Sequence, residues 1–260
     1  MVPILKALKE SGVTFVRRTI GQDNALDLFV GSRQRLGEWR RALGNRWPTI
    51  PPQRFAVLTM FDAGMTEIGG LTAANKRDYC SAHGYQCIVR TDGFDPSRPV
   101  PWSKVLFLQQ HLPEYDWVFW SDADSLIMNY PTLLESLVRT TADLILTRDI
   151  NGLNSGSFLI RNCPWAQAFL AEVYAQTQYL HDCWWENRAF FWLLKAYRHR
   201  RHAKIVRQEI LNSYLYEASG VTGRRSFQPG DFVLHLPGLA SELRLRLLRE
   251  YARRVVRVPQ

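Results

Sequence analysis

The run Tyr115-Asp116-Trp117-Val118-Phe119-Trp120-Ser121-Asp122-Ala123-Asp124-Ser125 constrains the fold of this chain more than any other stretch. It is too apolar to lie outside a core and too short for a buried helix, so it predicts a buried β-strand. Two carboxylates follow at its C-terminal end, the edge at which open α/β sheets hold ligands. Alternate residues of an extended chain share a face, so Asp122 and Asp124 would converge on one point if the strand geometry persists to Asp124. Two hard oxygen anions at one point make half a site for Mg²⁺ or Mn²⁺. Asp-Ala-Asp-Ser equally suits a polar turn that merely closes the strand.

The segments around this run predict its neighbours. Phe55–Phe61 is a continuous apolar strand, a helix spans about 71–82 and stops at His83-Gly84, and Tyr85–Arg90 is a second strand. That β-α-β order predicts a parallel sheet with crossover helices. Ser103 is placed to cap a helix from Lys104 to Leu112, ahead of the aspartate strand. Ala142–Thr147 reads as a further strand. Asn154–Ser157 reads as a small polar turn leading into strand Phe158–Asn162. A helix from Trp165 to about Tyr179 is expected to turn Ala168, Ala171, Val173 and Tyr174 inward, and a second, aromatic helix over Trp184–Leu194 to bury Phe191 and Trp192. The stretch Asp231–Gly238 reads as a strand that presents His235 and then breaks at Pro237-Gly238.

Three divisions are expected: a helical extension over 1–50, a main domain over 51–240 entered through the stiff Trp47–Pro52 connector, and a basic amphipathic helix over 241–260. The formal charge of +9 suggests an affinity for polyanions. The basic run Arg198–His202 has no nucleic-acid-binding motif around it, so nucleic acid is not expected as a partner. The segment from Glu242 to Val258 is Arg-rich and amphipathic, which suits either a helix packed on the domain or a peripheral contact with an anionic membrane. Cys80, Cys87, Cys163 and Cys183 form no Cys-x-x-Cys pair, the N-terminus lacks the apolar core of a secretory signal, and no window reaches the roughly 18 apolar residues of a membrane span. These features predict a cytoplasmic chain.

The motifs Asn75-Lys76, Tyr79, His83-Gly84-Tyr85, Trp102-x-Lys104, Trp120–Asp124, Asn154–Asn162 and Gly230–His235, in that order over about 54–239, resemble glycosyltransferase family 34. This is the galactosyl, mannosyl and xylosyltransferase family of fungal and plant Golgi enzymes. The resemblance implies an α/β GT-A fold with a mostly parallel central sheet flanked by helices. It also implies a nucleotide-diphosphate sugar donor, a Mn²⁺ (or Mg²⁺) requirement, retention at the anomeric carbon and a glycan or lipid-linked acceptor. Carried over by position, Asp122, Asp124 and His235 would hold the metal. Thr59, Met60, Asp62, Asn75, Lys76 and Gly238 would line the nucleotide pocket. Lys104 would lie against phosphate or pair with the aspartates, Asn154, Ser155 and Gly156 would face the donor sugar with Asp149 nearby, and Glu186 and Asn187 would match the family's acidic-Gln pair that contacts the sugar. Attack from the face the diphosphate leaves needs no protein nucleophile, whereas a double displacement would need a carboxylate under the anomeric carbon, for which Asp149 and Glu186 are the candidates.

Two departures from the family pattern stand out. Asn187 is one methylene shorter than the family's Gln, and the Lys found after the His in plant relatives is missing, so that Arg244 or Lys104 would have to supply its charge. Eukaryotic members also begin with a membrane anchor and a stem, neither of which this sequence shows. Paired aspartates would also suit a nucleotidyltransferase or metal phosphohydrolase, but Ser125–Leu134 supplies no further acidic ligand. A catalytically inert glycan- or membrane-binding protein would keep the sheet without the Asp-Asp-His set.

Overall fold

The computed structural model describes residues 53–258. The helical extension expected over 1–50 lies outside them. The main sheet has six strands in the order β2-β1-β3-β6-β5-β7. These are β1 (Phe55–Met60), β2 (Gln86–Arg90), β3 (Trp117–Ser121), β5 (Leu144–Asp149), β6 (Gly152–Arg161) and β7 (Ala203–Val206). β1 runs parallel to β2 and β3, and β5 parallel to β7, whereas β6 is antiparallel to both β3 and β5. A two-stranded sheet pairs β4 (Ser125–Ile127) with β8 (Val233–His235).

The helices are α1 (Thr66–His83), α2 (Ser103–His111), α3 (Leu134–Leu137), α4 (Pro164–Tyr174), α5 (Trp185–Leu193), α6 (Tyr197–Arg200), α7 (Gln208–Leu211) and α8 (Ser241–Ala252). Helix α1 ends as its sequence predicts, with Gly84 left-handed at φ 71 and its N–H returned to the Cys80 carbonyl. Strand β1 is buried along its whole length because the central position covers both its faces. Ala56, Leu58 and Met60 pack on one side with Trp102, Phe107, Trp120 and Phe169, while Phe55 and Val57 pack on the other with Tyr79, Phe119 and Phe232.

Several local expectations change. Asn154–Ser157 is not a turn but lies within β6, because the hairpin from β5 turns earlier, at Asp149–Gly152, where Gly152 takes φ 118. Ser103 does not cap α2; its hydroxyl accepts from the Asp95 N–H at 3.0 Å. The inner face of α4 is Ala166, Phe169, Leu170 and Val173, so Ala168 and Ala171 face outward: the bulk of Phe169 and Leu170 sets the helix phase. On α5, Ala189 and Phe190 take the inner face, leaving Phe191 half-buried and Trp192 46% exposed. Asp122 and Asp124 lie not in extended chain but in a turn, closed by the Ser125 N–H on the Asp122 carbonyl at 3.2 Å.

The C-terminal helix is integrated rather than appended. Leu248 is fully buried with Leu126, Leu234 and Leu236, and Leu245, Leu247 and Tyr251 pack around them. Val256 then bridges Asn129. Much of the apolar side of this helix, Leu245, Leu247 and Leu248, is therefore turned into the protein's own core. No helix of the described residues is long and apolar enough to cross a membrane.

Candidate active site

Three elements meet at the C-terminal edge of β3. The Asp122 N–H donates to the Gly156 carbonyl at 2.8 Å, which ties the end of β3 to β6. Beyond the turn, β4 pairs antiparallel with β8 so that Ser125 stands opposite His235. This register, not strand alternation, brings the imidazole to the aspartates. One ligand atom from each of Asp122, Asp124 and His235 lies within 4.8 Å of the others.

The side chains behind these groups set their chemistry. Asn212, fully buried, donates through Nδ2 to Asn154 Oδ1 at 2.7 Å and to Thr147 Oγ1 at 3.3 Å. Its Oδ1 must therefore accept from His235 Nδ1, 2.7 Å away. That fixes the tautomer and turns Nε2 toward Asp124 Oδ1 at 3.0 Å. A nitrogen lone pair and a carboxylate oxygen at that separation repel each other unless a cation stands between them. A proton serves, and so does a divalent ion, for which one imidazole and two carboxylates are a suitable donor set. The residues fit a metal on this ground.

The Asp149-Asn154-Asn212-His235 chain of hydrogen bonds runs without a break from the end of β5 to β8. Asn154 Nδ2 donates to Asp149 Oδ2 at 2.8 Å and to the Tyr214 hydroxyl at 2.7 Å, and that hydroxyl donates to Asp149 Oδ2 at 2.9 Å. Gly156 has a steric duty here. A Cβ on it would lie 2.3 Å from His235 Cε1 and 2.9 Å from Asn154 Oδ1, so only glycine admits the ring. Asp149 also lines a cleft of about 340 Å³ with Arg148, Tyr216 and Arg224.

On the other side of the aspartates, Lys104 is buried and donates to Glu186 Oε1 at 2.6 Å, Asp122 Oδ1 at 3.1 Å and the Ser155 carbonyl at 3.1 Å. Its three N–H groups are thereby used, so the arrangement found is an ion pair with Asp122 and Glu186, and no donor remains for phosphate. Burial alone would lower the Lys104 ammonium, but Asp122 and Glu186 outweigh it and hold the pKa above the ordinary lysine value. Burial, aided by Asp122 and opposed by Lys104, raises the Glu186 carboxyl. Trp120 Nε1 also donates to Asp122 Oδ1 at 2.7 Å, which leaves Oδ2 free to face outward. For Asp124, burial is outweighed by His235 and by Arg244, whose Nη1 lies 3.2 Å from Oδ2, and the carboxyl is held below its usual range. Arg244, from α8, is thus the residue that places the cation missing after His235.

Several other expected pocket residues are committed to bonds within the fold. Asn75 spends its amide on β4, accepting from the Ile127 N–H at 2.8 Å and donating to the Ile127 carbonyl at 3.0 Å. Lys76, fully buried, donates to the carbonyls of Asp122 and Ser125 at 3.2 and 2.8 Å, the two ends of the turn, and burial lowers its pKa to about 8. Both hold the turn from beneath rather than lining a pocket. Thr59 and Met60 are buried at the end of β1, which runs parallel to β3 with Leu58 opposite Trp120, so that Asp62, half-buried just beyond, stands at the same sheet edge as the aspartates. Asn187 is committed to β6, accepting from the Ser155 N–H at 2.8 Å and donating to the Leu153 carbonyl at 3.1 Å. Gly238 takes φ 71 in the turn after β8. Asn212, Tyr214 and the indole N–H of Trp120 carry no spacing signal in the sequence that would have marked them.

A mixed α/β sheet with paired aspartates at a strand end and a histidine from a late strand fits the GT-A glycosyltransferase fold. The chain belongs to the galactosyl transferase GMA12/MNN10 family, glycosyltransferase family 34, whose model matches residues 62–142 and 138–244. It is 26% identical over 211 residues to an uncharacterised α-1,2-galactosyltransferase of Schizosaccharomyces pombe, covering 63% of this chain and 54% of that protein. It is 32% identical over 114 residues to galactomannan galactosyltransferase 1 of Cyamopsis tetragonoloba, covering 37% and 25%. The chain thus spans about half or less of the length of these relatives. Two solved structures share the fold. A glycosyltransferase involved in glycosylation of the PBCV-1 major capsid superposes with TM-score 0.61 at 15% identity, over 76% of this chain and 99% of that one. The galactosyltransferase LgtC superposes with TM-score 0.50 at 13% identity, over 79% and 98%.

Proposed function

We propose that this protein is a metal-dependent, retaining glycosyltransferase that moves a hexose or pentose from a nucleotide-diphosphate sugar to a hydroxyl of a glycan or lipid-linked acceptor. The observation that carries this reading is the convergence of Asp122, Asp124 and His235, with the His235 tautomer set by Asn212 so that Nε2 faces the carboxylates. Asp122, Asp124 and His235 would hold a Mn²⁺ or Mg²⁺ ion, which would supply positive charge to the leaving diphosphate. The protein's own groups hold that site in place: Lys104 and Trp120 orient Asp122, and Arg244 brings a second cation to the edge where phosphate would lie. Lys76 clamps the turn that carries both aspartates.

Retention by departure and attack on the same face is favoured over a double displacement, because neither candidate nucleophile is free. Glu186 is bound to Lys104 at 2.6 Å, and Asp149 accepts from the Asn151 N–H at 2.7 Å as well as from Asn154 and Tyr214. Galactose and xylose donors head the list to be tested, since relatives are named as a galactosyltransferase and a xyloglucan xylosyltransferase. A cytoplasmic setting belongs to the same proposal and rests on the four unpaired thiols; fractionation of the producing cells checks it. Purified protein screened against nucleotide sugars with Mn²⁺ should release nucleoside diphosphate, and Asp124→Ala should stop the release. Wild-type turnover that survives EDTA would refute the metal, and a β-linked product from an α-linked donor would refute retention.

A further inference from the structure

Helix α5 is entered through a turn that holds one indole out of the protein. Trp185 has φ 43, and it is the only non-glycine residue with positive φ among the described residues. An aromatic L-residue held in that region is strained. Burial could offset the strain, yet Trp185 is 42% exposed. The turn around it is tightly locked. Asp182 accepts the Trp184 N–H at 2.9 Å and Arg188 Nε at 3.0 Å on its carboxylate, and the Trp185 N–H at 3.0 Å on its carbonyl. The Arg188 guanidinium lies 4.0 Å from the Trp184 ring centre and the Lys195 ammonium 3.6 Å from that of Trp192, so these cations cover the neighbouring indoles.

On its other side Trp185 leads directly into the site. Glu186 is fixed to Lys104, which is fixed to Asp122, and Asn187 is fixed to β6. Trp185 is strained and exposed, belongs to none of the three buried apolar clusters, and stands next in sequence to Glu186. The geometry points to Trp185 as a stacking platform for the acceptor glycan, an inference that rests on the transfer reaction proposed above. The electron-rich face of an indole attracts the polarised C–H bonds on the apolar face of a pyranose, and it does so with little rotamer entropy to lose. A platform at that point holds the acceptor sugar at the surface outside the buried Glu186–Lys104 pair.

The test uses Trp185→Gly and Trp185→Asn, since both residues adopt positive φ with less strain than Trp. Trp185→Tyr keeps an aromatic face. Trp192→Ala is the control, an exposed indole whose face Lys195 already covers. Binding of neutral gluco-, manno- and galacto-configured oligosaccharides is measured by calorimetry on the full-length protein, alongside donor hydrolysis without acceptor and the thermal midpoint. Trp185→Gly and Trp185→Asn should weaken binding of the best oligosaccharide roughly tenfold. Their thermal midpoint should stay equal or rise, and donor hydrolysis should be unchanged. Trp185→Tyr should restore most of the binding, and Trp192→Ala should bind as the wild type does. If no oligosaccharide binds the wild type, or if Trp185→Gly binds equally well, the platform is refuted. If both Trp185→Gly and Trp185→Asn lower the midpoint, the indole serves the fold and the inference fails. Trp185-dependent glycan binding in a protein that hydrolyses no donor would leave the platform standing and overturn the transfer reaction alone.

Discussion

Gly156→Ala is the sharpest single perturbation of the candidate metal site. The added methyl would meet His235 Cε1 at 2.3 Å, His235 Nδ1 at 2.9 Å and Asn154 Oδ1 at 2.9 Å. Ordinary contact begins near 3.4 Å, so something must move by about 1 Å. Neither neighbour can move freely: His235 is 2% exposed and bonded through both nitrogens, and Asn154 bonds to Asp149, Tyr214 and Asn212. Overpacking of this kind costs about 1–3 kcal/mol. Displacement of a ligand's supporting shell typically lowers metal affinity by about 10–100-fold. Mn²⁺ titration by calorimetry and thermal unfolding with and without Mn²⁺ measure the two effects. Gly70→Ala is the control within α1, where nothing lies within 4 Å of the added carbon, and it should stabilise by about 0.5–1 kcal/mol without changing Mn²⁺ binding. A Gly156→Ala protein that binds Mn²⁺ and melts as the wild type does would show that His235 is not held where the metal argument needs it.

Two further outcomes follow from packing and charge. Leu248→Ala should cost about 2–5 kcal/mol in chemical denaturation, because Leu248 is fully buried among Leu126, Leu234 and Leu236, whereas an α8 held on a lipid surface would lose almost nothing in solution. For Asp143, burial would raise the carboxyl, but hydrogen bonds and charge from His202 and Arg161 outweigh it and the pKa is lowered, with His202 Nδ1 2.5 Å away. A depressed folded pKa contributes stability that is present above the unfolded value of about 4 and is lost as pH falls through the folded one. The midpoint gap between wild type and Asp143→Asn should therefore close as the pH drops below about 4; a gap that persists unchanged below that pH would contradict the ion pair.

The sequence alone determined those features that depend on local composition. Continuous apolar runs such as Phe55–Met60 and Trp117–Ser121 can only be covered strands, and Gly84 ends α1 because a left-handed C-cap favours glycine. Asp122, Asp124 and His235 are also legible as candidates, because each stands at the end of an apolar strand, and the fold brings their ligand atoms within 4.8 Å of one another. What local pattern could not decide was how distant segments share space. His235 reaches Asp124, 111 residues away, only because β8 pairs with β4 in one register, and the aspartates converge through a turn where alternation along a strand had suggested their convergence. Asn75 and Lys76 look like pocket residues in the chain and serve as props under the turn in the fold, because α1 packs beneath β4. Arg244 lies in a helix that reads as an amphipathic tail, yet burial of Leu248 pins that helix against the core and so delivers the guanidinium to Asp124. Hydrophobic patterning acts within a few residues of itself, whereas a polar site is assembled from side chains whose only common property is the place to which the packed core carries them.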